Sequence, residues 1–248
     1  IFFQRFFIRY PIKSQRLLEV MPGFFSWSLI LFPLWGSFFI PMIVAYFVLF
    51  YDVYWFYKSF SLAIIAFIAH QKIKVSEKED WLKKAKTLPN FDKVCHLIII
   101  PNYQERIEKL RKTLAHLSHQ TSPHQRLMVV LAMEEREEEA HKKATLLRQE
   151  FSHIFGRIYA TFHKDKEGEV KGKSSNQRHA IQWIQRQVLN KKDIDKDFLT
   201  VSSVDADSIF DPQYFAYLTH AFLTDKNPYR KFWQSATVYH NNIWQVPV

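Results

Sequence analysis

From Phe24 to Tyr51 the chain runs for 28 residues without a charged side chain, and this constrains its N-terminal part more than anything else in the sequence. A helix needs about 20 apolar residues to cross the hydrocarbon of a bilayer. A second apolar stretch, Val53 to Ala69, is interrupted only by Lys58. Pro33, Gly36 and Pro41 break the first stretch, because proline withdraws a helical donor and glycine lowers helix propensity. The spacing predicts two membrane helices, roughly residues 24–39 and 42–70, joined by a bend near residues 36–41. The first is short for a full span, so a re-entrant or interfacial helix is the alternative. A secretory signal fits poorly, since the apolar region is too long and no small-residue cleavage site follows it.

Charge sets the expected topology. Arg5, Arg9, Lys13 and Arg16 outweigh Glu19 before the first helix, and Lys72, Lys74, Lys78, Lys83, Lys84 and Lys86 follow the second. Basic flanks stay cytoplasmic, which requires an even number of crossings and puts the rest of the chain at the cytoplasmic face of a cell membrane. Asp52 and Lys58 lie beside Tyr54, Trp55 and Tyr57 and read as an interfacial belt with a snorkelling lysine. The alternative is an intramembrane functional charge. The expected divisions are a basic segment (1–23), an anchor (24–72), a polar linker (73–92) and a water-soluble domain (93–248). Membrane lipid is an expected partner.

The net charge of +10 suits anionic lipid, phosphorylated small molecules or nucleic acid. Nucleic acid is not an expected partner. The sequence has no helix-turn-helix pattern, no zinc-finger spacing and no basic stripe with interleaved aromatics. Its basic residues gather beside the apolar stretches and around Lys164 to Lys173. Cys95 is the single cysteine, so no internal disulfide or multi-cysteine metal site can form, as befits a reducing compartment.

Beyond Leu88-Pro89-Asn90, a turn signal, the pattern changes. Val94 to Ile100 is a continuous apolar run of strand length, expected to stop at Pro101, and Leu127 to Ala132 is a second. Ile158 to Phe162 and Phe198 to Val204 read as third and fourth strands. Ile107, Leu110, Leu114 and Leu117 recur at helical spacing, and further helices are read over Glu135 to Phe151 and Ser174 to Leu189. Alternating strands and helices predict an α/β domain with a mostly parallel sheet and helices on both faces. Ligands of such sheets bind beyond the carboxyl ends of the strands.

Three groups of residues stand there. Asp205-Ala206-Asp207 ends the fourth strand, and two carboxylates on one turn repel each other unless a cation intervenes. Hard oxygen ligands suit Mg2+ or Mn2+. Alternatively, Asp207 or Asp211 caps a helix starting near Pro212. Lys173, Asn176 and Arg178 begin a helix behind Gly168 and Gly172, which is either a phosphate site or an ordinary solvated helix start. Pro101-Asn102-Tyr103-Gln104-Glu105 follows the first strand, as a ligand loop or a plain strand-to-helix turn.

In order and spacing the three groups resemble the family-two glycosyltransferases, membrane-linked enzymes with a GT-A fold. Ile100 to Glu105 is similar to that family's I-P-x-Y-N-E opening beside the nucleotide. Lys173 to Ala180 is similar to its K-x-x-N-x-x-x-A helix start near the donor diphosphate, and Asp205-Ala206-Asp207 to its metal and donor motif. The resemblance covers residues 94–248. It implies metal-dependent, inverting transfer of a sugar from a nucleotide diphosphate, a UDP-sugar foremost, to a glycan, lipid or other hydroxyl acceptor, with Mg2+ or Mn2+ as cofactor. Carried over residue by residue, it implies donor contacts at Pro101, Asn102, Tyr103, Glu105, Glu134, Lys173, Asn176, Arg178 and Asp205. Asp207 would hold the metal, with Asp205 the lesser ligand.

The chain departs from the family pattern at Gln104, where Asn is usual, and at Met133-Glu134-Glu135, where D-D-G-S is common. The acidic general base and the Q-x-x-R-W element have no match, so the base is expected beyond Val248, and the chain is read as a fragment cut at both ends. Trp233-Gln234 and Asn241 to Trp244 are read as acceptor-side aromatics or as core and rim residues of an edge strand. Two alternatives stand beside this reading. One is a haloacid-dehalogenase-like phosphotransferase with Asp205 as nucleophile and Asp207 as acid/base. The other is a non-catalytic membrane partner with the same fold.

Overall fold

The computed structural model describes residues 11–190 and 194–237. The chain divides into two compact units, Ile1–Lys78 and Glu79–Val248.

In the first unit α1 (Pro11–Ile30) leads through α2 (Phe32–Gly36) into α3 (Pro41–Glu77). Pro33 and Pro41 both fall in first helical turns, where a missing N–H has no partner to lose. They therefore start helices instead of merely breaking one. The expected helix over 24–39 is split between the end of α1 and the five residues of α2. Among the described residues α3, at 37 residues, is the one helix long and apolar enough to cross a membrane. It runs seven residues past the expected end at position 70.

The second unit opens inside the stretch read as a linker. Asp80 accepts from the Lys83 N–H at 2.9 Å and caps α4 (Trp81–Lys86). The Trp81 ring meets Tyr217 edge-on at 4.7 Å. Gln213 accepts from the Trp81 N–H and donates to the Glu79 carbonyl, docking α4 on α8 (Tyr214–Thr224).

Strands β1 (Cys95–Asn102), β2 (Leu127–Glu134), β3 (Arg157–His163) and β4 (Leu199–Ser203) form one fully parallel sheet in the order β3-β2-β1-β4. Helices α5 (Ile107–Ser118), α6 (Ala140–Phe151) and α7 (Lys173–Ile184) alternate with them. Because side chains alternate across a strand, β1 serves two cores. Ile98 and Ile100 join Leu114, Leu147 and Phe215 of α5, α6 and α8, while Leu97 and Ile99 join Ala180 and Ile184 of α7. This is the expected α/β class, with helices on both faces.

Three boundaries differ from the sequence reading. β1 continues through Pro101 to Asn102. The Val204 N–H donates to the Ile99 carbonyl, so Ile99 faces β4 and Pro101 faces the same side, where the ladder has already ended. The proline's missing donor therefore costs nothing. Helix α6 begins at Ala140 instead of Glu135, because residues 135–139 are turns that send Glu137 inward. After Ile184, α7 passes into one π-helical turn, Gln185–Leu189.

One buried polar chain crosses the core. His96 is 1% exposed, and its Nε2 lies 2.9 Å from Thr219 Oγ1, which itself donates to the Phe215 carbonyl. Thr219 Oγ1 must then accept from His96, so Nε2 carries the proton. Nδ1 accepts from Thr200 Oγ1 at 2.6 Å. Burial first, and the Arg126 charge second, lower the His96 pKa to about 3.

Candidate functional site

The carboxyl ends of the parallel strands open on one side of the sheet, and a cleft of about 320 Å³ lies there. Three connections and the end of β2 build it.

The loop after β1 brings Pro101, Asn102, Tyr103 and Glu105 to the cleft. Asn102 is 2% exposed, and its Nδ2 donates to Glu137 Oε2 at 3.0 Å. The Gln104 N–H donates to the same oxygen at 2.9 Å. Gln104 has φ +59°, a left-handed conformation that Asn tolerates better than Gln. The departure from the family pattern thus falls at a strained position. Gln104→Asn should raise stability by about 0.5–1 kcal/mol, read as a higher urea midpoint at unchanged m-value.

At the end of β2, Glu134 lines the cleft and is 1% exposed, whereas Glu135 is exposed and does not line it. The Arg136 guanidinium sits 3.8 Å from the centre of the Tyr103 ring and 3.5 Å from Glu134 Oε2. The buried His163 ring reaches Glu134 at 3.5 Å through Nδ1 and Glu169 at 3.2 Å through Nε2.

Lys173 and Asn176 arrive from the first turn of α7. Asn176 is 1% exposed and donates from Nδ2 to the Ala132 carbonyl at 2.7 Å, fixing α7 to β2. Arg178 is exposed and stands outside the cleft. Five positions along a helix turn a side chain about 140° from Lys173, whereas three keep it on the same face.

Asp205 and Asp207 complete the cleft on either side of the buried Ala206. Thr113 Oγ1 donates to the Ala206 carbonyl at 2.8 Å, and the Asp205 N–H donates to Ser208 Oγ at 3.1 Å. The turn is held from below by its middle residue while both carboxylates stay exposed. Lys173 Nζ donates to Asp205 Oδ1. Lys109 Nζ bonds Glu105 at 2.7 Å, and that bond, ahead of the Glu105 and Asp207 charges, raises the Lys109 pKa. The capping alternative does not apply to Asp207. α8 starts at Tyr214 without a side-chain cap, and Asp211 Oδ1 accepts from the Gln213 N–H instead.

Two exposed carboxylates on one firmly held turn, open to the cleft, offer the hard oxygen ligands that would suit a Mg2+ or Mn2+ ion. A second group, Glu134, His163 and Asp165, places ligand atoms within 4.8 Å of one another. Its carboxylates are in ion pairs, Glu134 with Arg136 and Asp165 with Lys171 at 3.2 Å, as Asp205 is with Lys173, and the His163 ring lies between Glu134 and Glu169.

No family model matches the chain, and no curated protein matches it. Among solved structures it matches the mannosyltransferase PcManGT from Pyrobaculum calidifontis, in complex with GDP-Man and Mn2+, at 17% identity and a TM-score of 0.39. The likeness is distant. It covers 67% of this chain, which spans 44% of that one.

Sequence reasoning missed Arg136, Glu137 and Lys143, in the stretch read as a helix, His163, directly after the third strand as read, and Glu169 in the loop behind it. The one available signal was the dense charge from Glu134 to Glu139 directly after a buried strand. Trp233 packs near Phe222 at 6.2 Å and does not line the cleft, nor does Gln234. Asn241 to Trp244, like Arg5 and Arg9, lie outside the described residues.

Proposed function

We propose that this cleft binds a nucleotide-diphosphate sugar, a UDP-sugar foremost, and that the chain is part of a membrane-anchored, metal-dependent glycosyltransferase of the family-two type. The sugar passes with inversion to a hydroxyl of a glycan or lipid, at the cytoplasmic face of the membrane that holds α3. One observation carries the reading. Three connections far apart in sequence converge on one cleft. An amide, a tyrosine and a buried carboxylate line it together with a lysine and two exposed carboxylates.

In this reading Asn102, Tyr103, Glu105 and Glu134 hold the nucleoside. Lys173 meets the diphosphate, and Asn176 keeps the start of α7 in place. Asp207, with Asp205, holds the cation. When bound, the cation supplies charge neutralisation for a diphosphate leaving group. Arg178, turned away from the cleft, has no part, and the base for the acceptor hydroxyl is assigned to none of the described residues. The phosphotransferase alternative places its Asp pair after the first strand of the domain. Here the pair follows β4, an edge of the sheet, which weighs against that alternative.

Uridine diphosphate with Mn2+ should stabilise the chain, by about 2.7 kcal/mol at a ligand concentration 100 times its dissociation constant. Chelator should abolish the thermal shift. Asp207→Asn should abolish it too while leaving apo stability unchanged or higher, since one of two repelling carboxylates is gone. A shift with inorganic phosphate and none with any nucleotide diphosphate would hand the site to the phosphotransferase reading.

A further inference from the structure

Glu137 and Lys143 form an ion pair at 2.5 Å, with side chains 5% and 13% exposed. Neither lines the cleft. Both grip the loop that does. Glu137 Oε2 accepts from Asn102 Nδ2 and from the Gln104 N–H, and Lys143 Nζ donates to the Glu105 carbonyl at 2.9 Å. Three of the four residues from Asn102 to Glu105 are thereby held from beneath, and Tyr103, the one left free, extends into the cleft with Arg136 over its ring.

A pair with no other role would be a poor way to stabilise the domain, because burying two charges is rarely a net gain over apolar packing. The Glu137 carboxylate does what an apolar side chain cannot. It faces an amide that must donate to it, which fixes which end of Asn102 turns inward. It also receives the N–H of a residue held in the left-handed region, a conformation that Gln does not favour by itself.

We propose that Glu137 is a positioning residue for the part of the cleft lined by the loop after β1, ordering Asn102–Glu105 before any ligand arrives, with Lys143 as its counter-charge. The role rests on the nucleotide-binding reading above. A loop ordered in advance costs the ligand no ordering entropy, so the effect appears in affinity.

Two double variants of the full chain in detergent separate positioning from stability. Glu137→Gln with Lys143→Met removes both charges but keeps an oxygen able to accept from Asn102 and Gln104. Glu137→Met with Lys143→Met removes the charges and the acceptor together. At a temperature where circular dichroism shows both folded, the Gln variant should bind uridine diphosphate and Mn2+ within about threefold of the unaltered chain, and the Met variant at least tenfold more weakly. Equal binding by the two would reduce the pair to a structural role and overturn the proposal. Absence of nucleotide binding by the unaltered chain would remove the nucleotide reading, and this role with it. Hydrogen exchange on the unaltered chain tests the same idea without substitution. Peptides covering residues 102–105 should be protected before nucleotide is added and change little afterwards. Free exchange that becomes protected only with nucleotide would mean that the ligand, not Glu137, orders the loop.

Discussion

Acidification from pH 6.5 towards pH 3 should weaken this protein by about 1.4 kcal/mol per pH unit through His96 alone. The unfolded chain takes up a proton at the ordinary imidazole value of 6.5, whereas the folded chain resists it until about 3. Throughout that window the unfolded state binds more protons, so stability falls as pH falls and is fully present above 6.5. Over the whole window the loss reaches about 5 kcal/mol, comparable to the entire stability of a marginal domain. The cause is geometric. Protonating Nδ1 would place a charge in the core and leave Thr200 without its acceptor. Denaturant titrations at pH 7, 5.5 and 4.5 measure the slope, and His96→Asn should flatten it by about 1.4 kcal/mol per unit. Partial burial also lowers the pKa of His179 and His220, so a residual slope of the same sign should remain in that variant. An unchanged slope in His96→Asn would show that His96 titrates normally.

Gly156→Ala should cost about 3 kcal/mol, the upper end of what overpacking does. A Cβ there would lie 2.7 Å from Gln125 Cα and 2.8 Å from its carbonyl carbon, and both belong to backbone. A flexible side chain could swing aside, but these atoms precede β2 and are fixed further by the Gly156 N–H donating to the His124 carbonyl at 3.0 Å. Gly168→Ala is the informative contrast. Nothing lies within 4 Å of its would-be Cβ, yet its φ is +78°, so about 1 kcal/mol of dihedral strain is expected without a clash. Urea midpoints for the two variants should differ clearly. A tolerated Gly156→Ala would mean that the close approach to Gln125 is absent.

The sheet was legible because its two inner strands, β1 and β2, are buried on both faces, which leaves the uninterrupted apolar runs Leu97 to Ile100 and Leu127 to Ala132. The cleft was partly legible for a related reason. Residues at the ends of such strands or just beyond them, among them Asn102, Glu134 and Asp205, gather at the open side of a parallel sheet whatever they do. The rest depended on contacts that local pattern does not encode. Trp81 reads as linker until Tyr217 meets it, and Glu137 reads as one charge in a solvated run until Asn102, 35 positions earlier, donates to it. Arg178 is the opposite case. Sequence spacing puts it near Lys173, and helical rotation puts it outside the cleft lining.

The strand order carries a consequence for how the chain is made. β1 is interior, yet only β2 follows it closely in sequence, and its other neighbour, β4, begins at Leu199, 97 positions after Asn102. At about 5–20 residues per second, a ribosome needs on the order of 5–20 s to supply that partner. Throughout that interval one side of Cys95 to Ile99 has no strand to pair with, although Leu97, Ile98 and Ile99 are as apolar as any part of the domain. An unpaired apolar edge of this kind recruits strands from other chains. Nascent chains arrested before residue 199 should therefore depend on a holding chaperone, and those arrested after β4 has emerged should not.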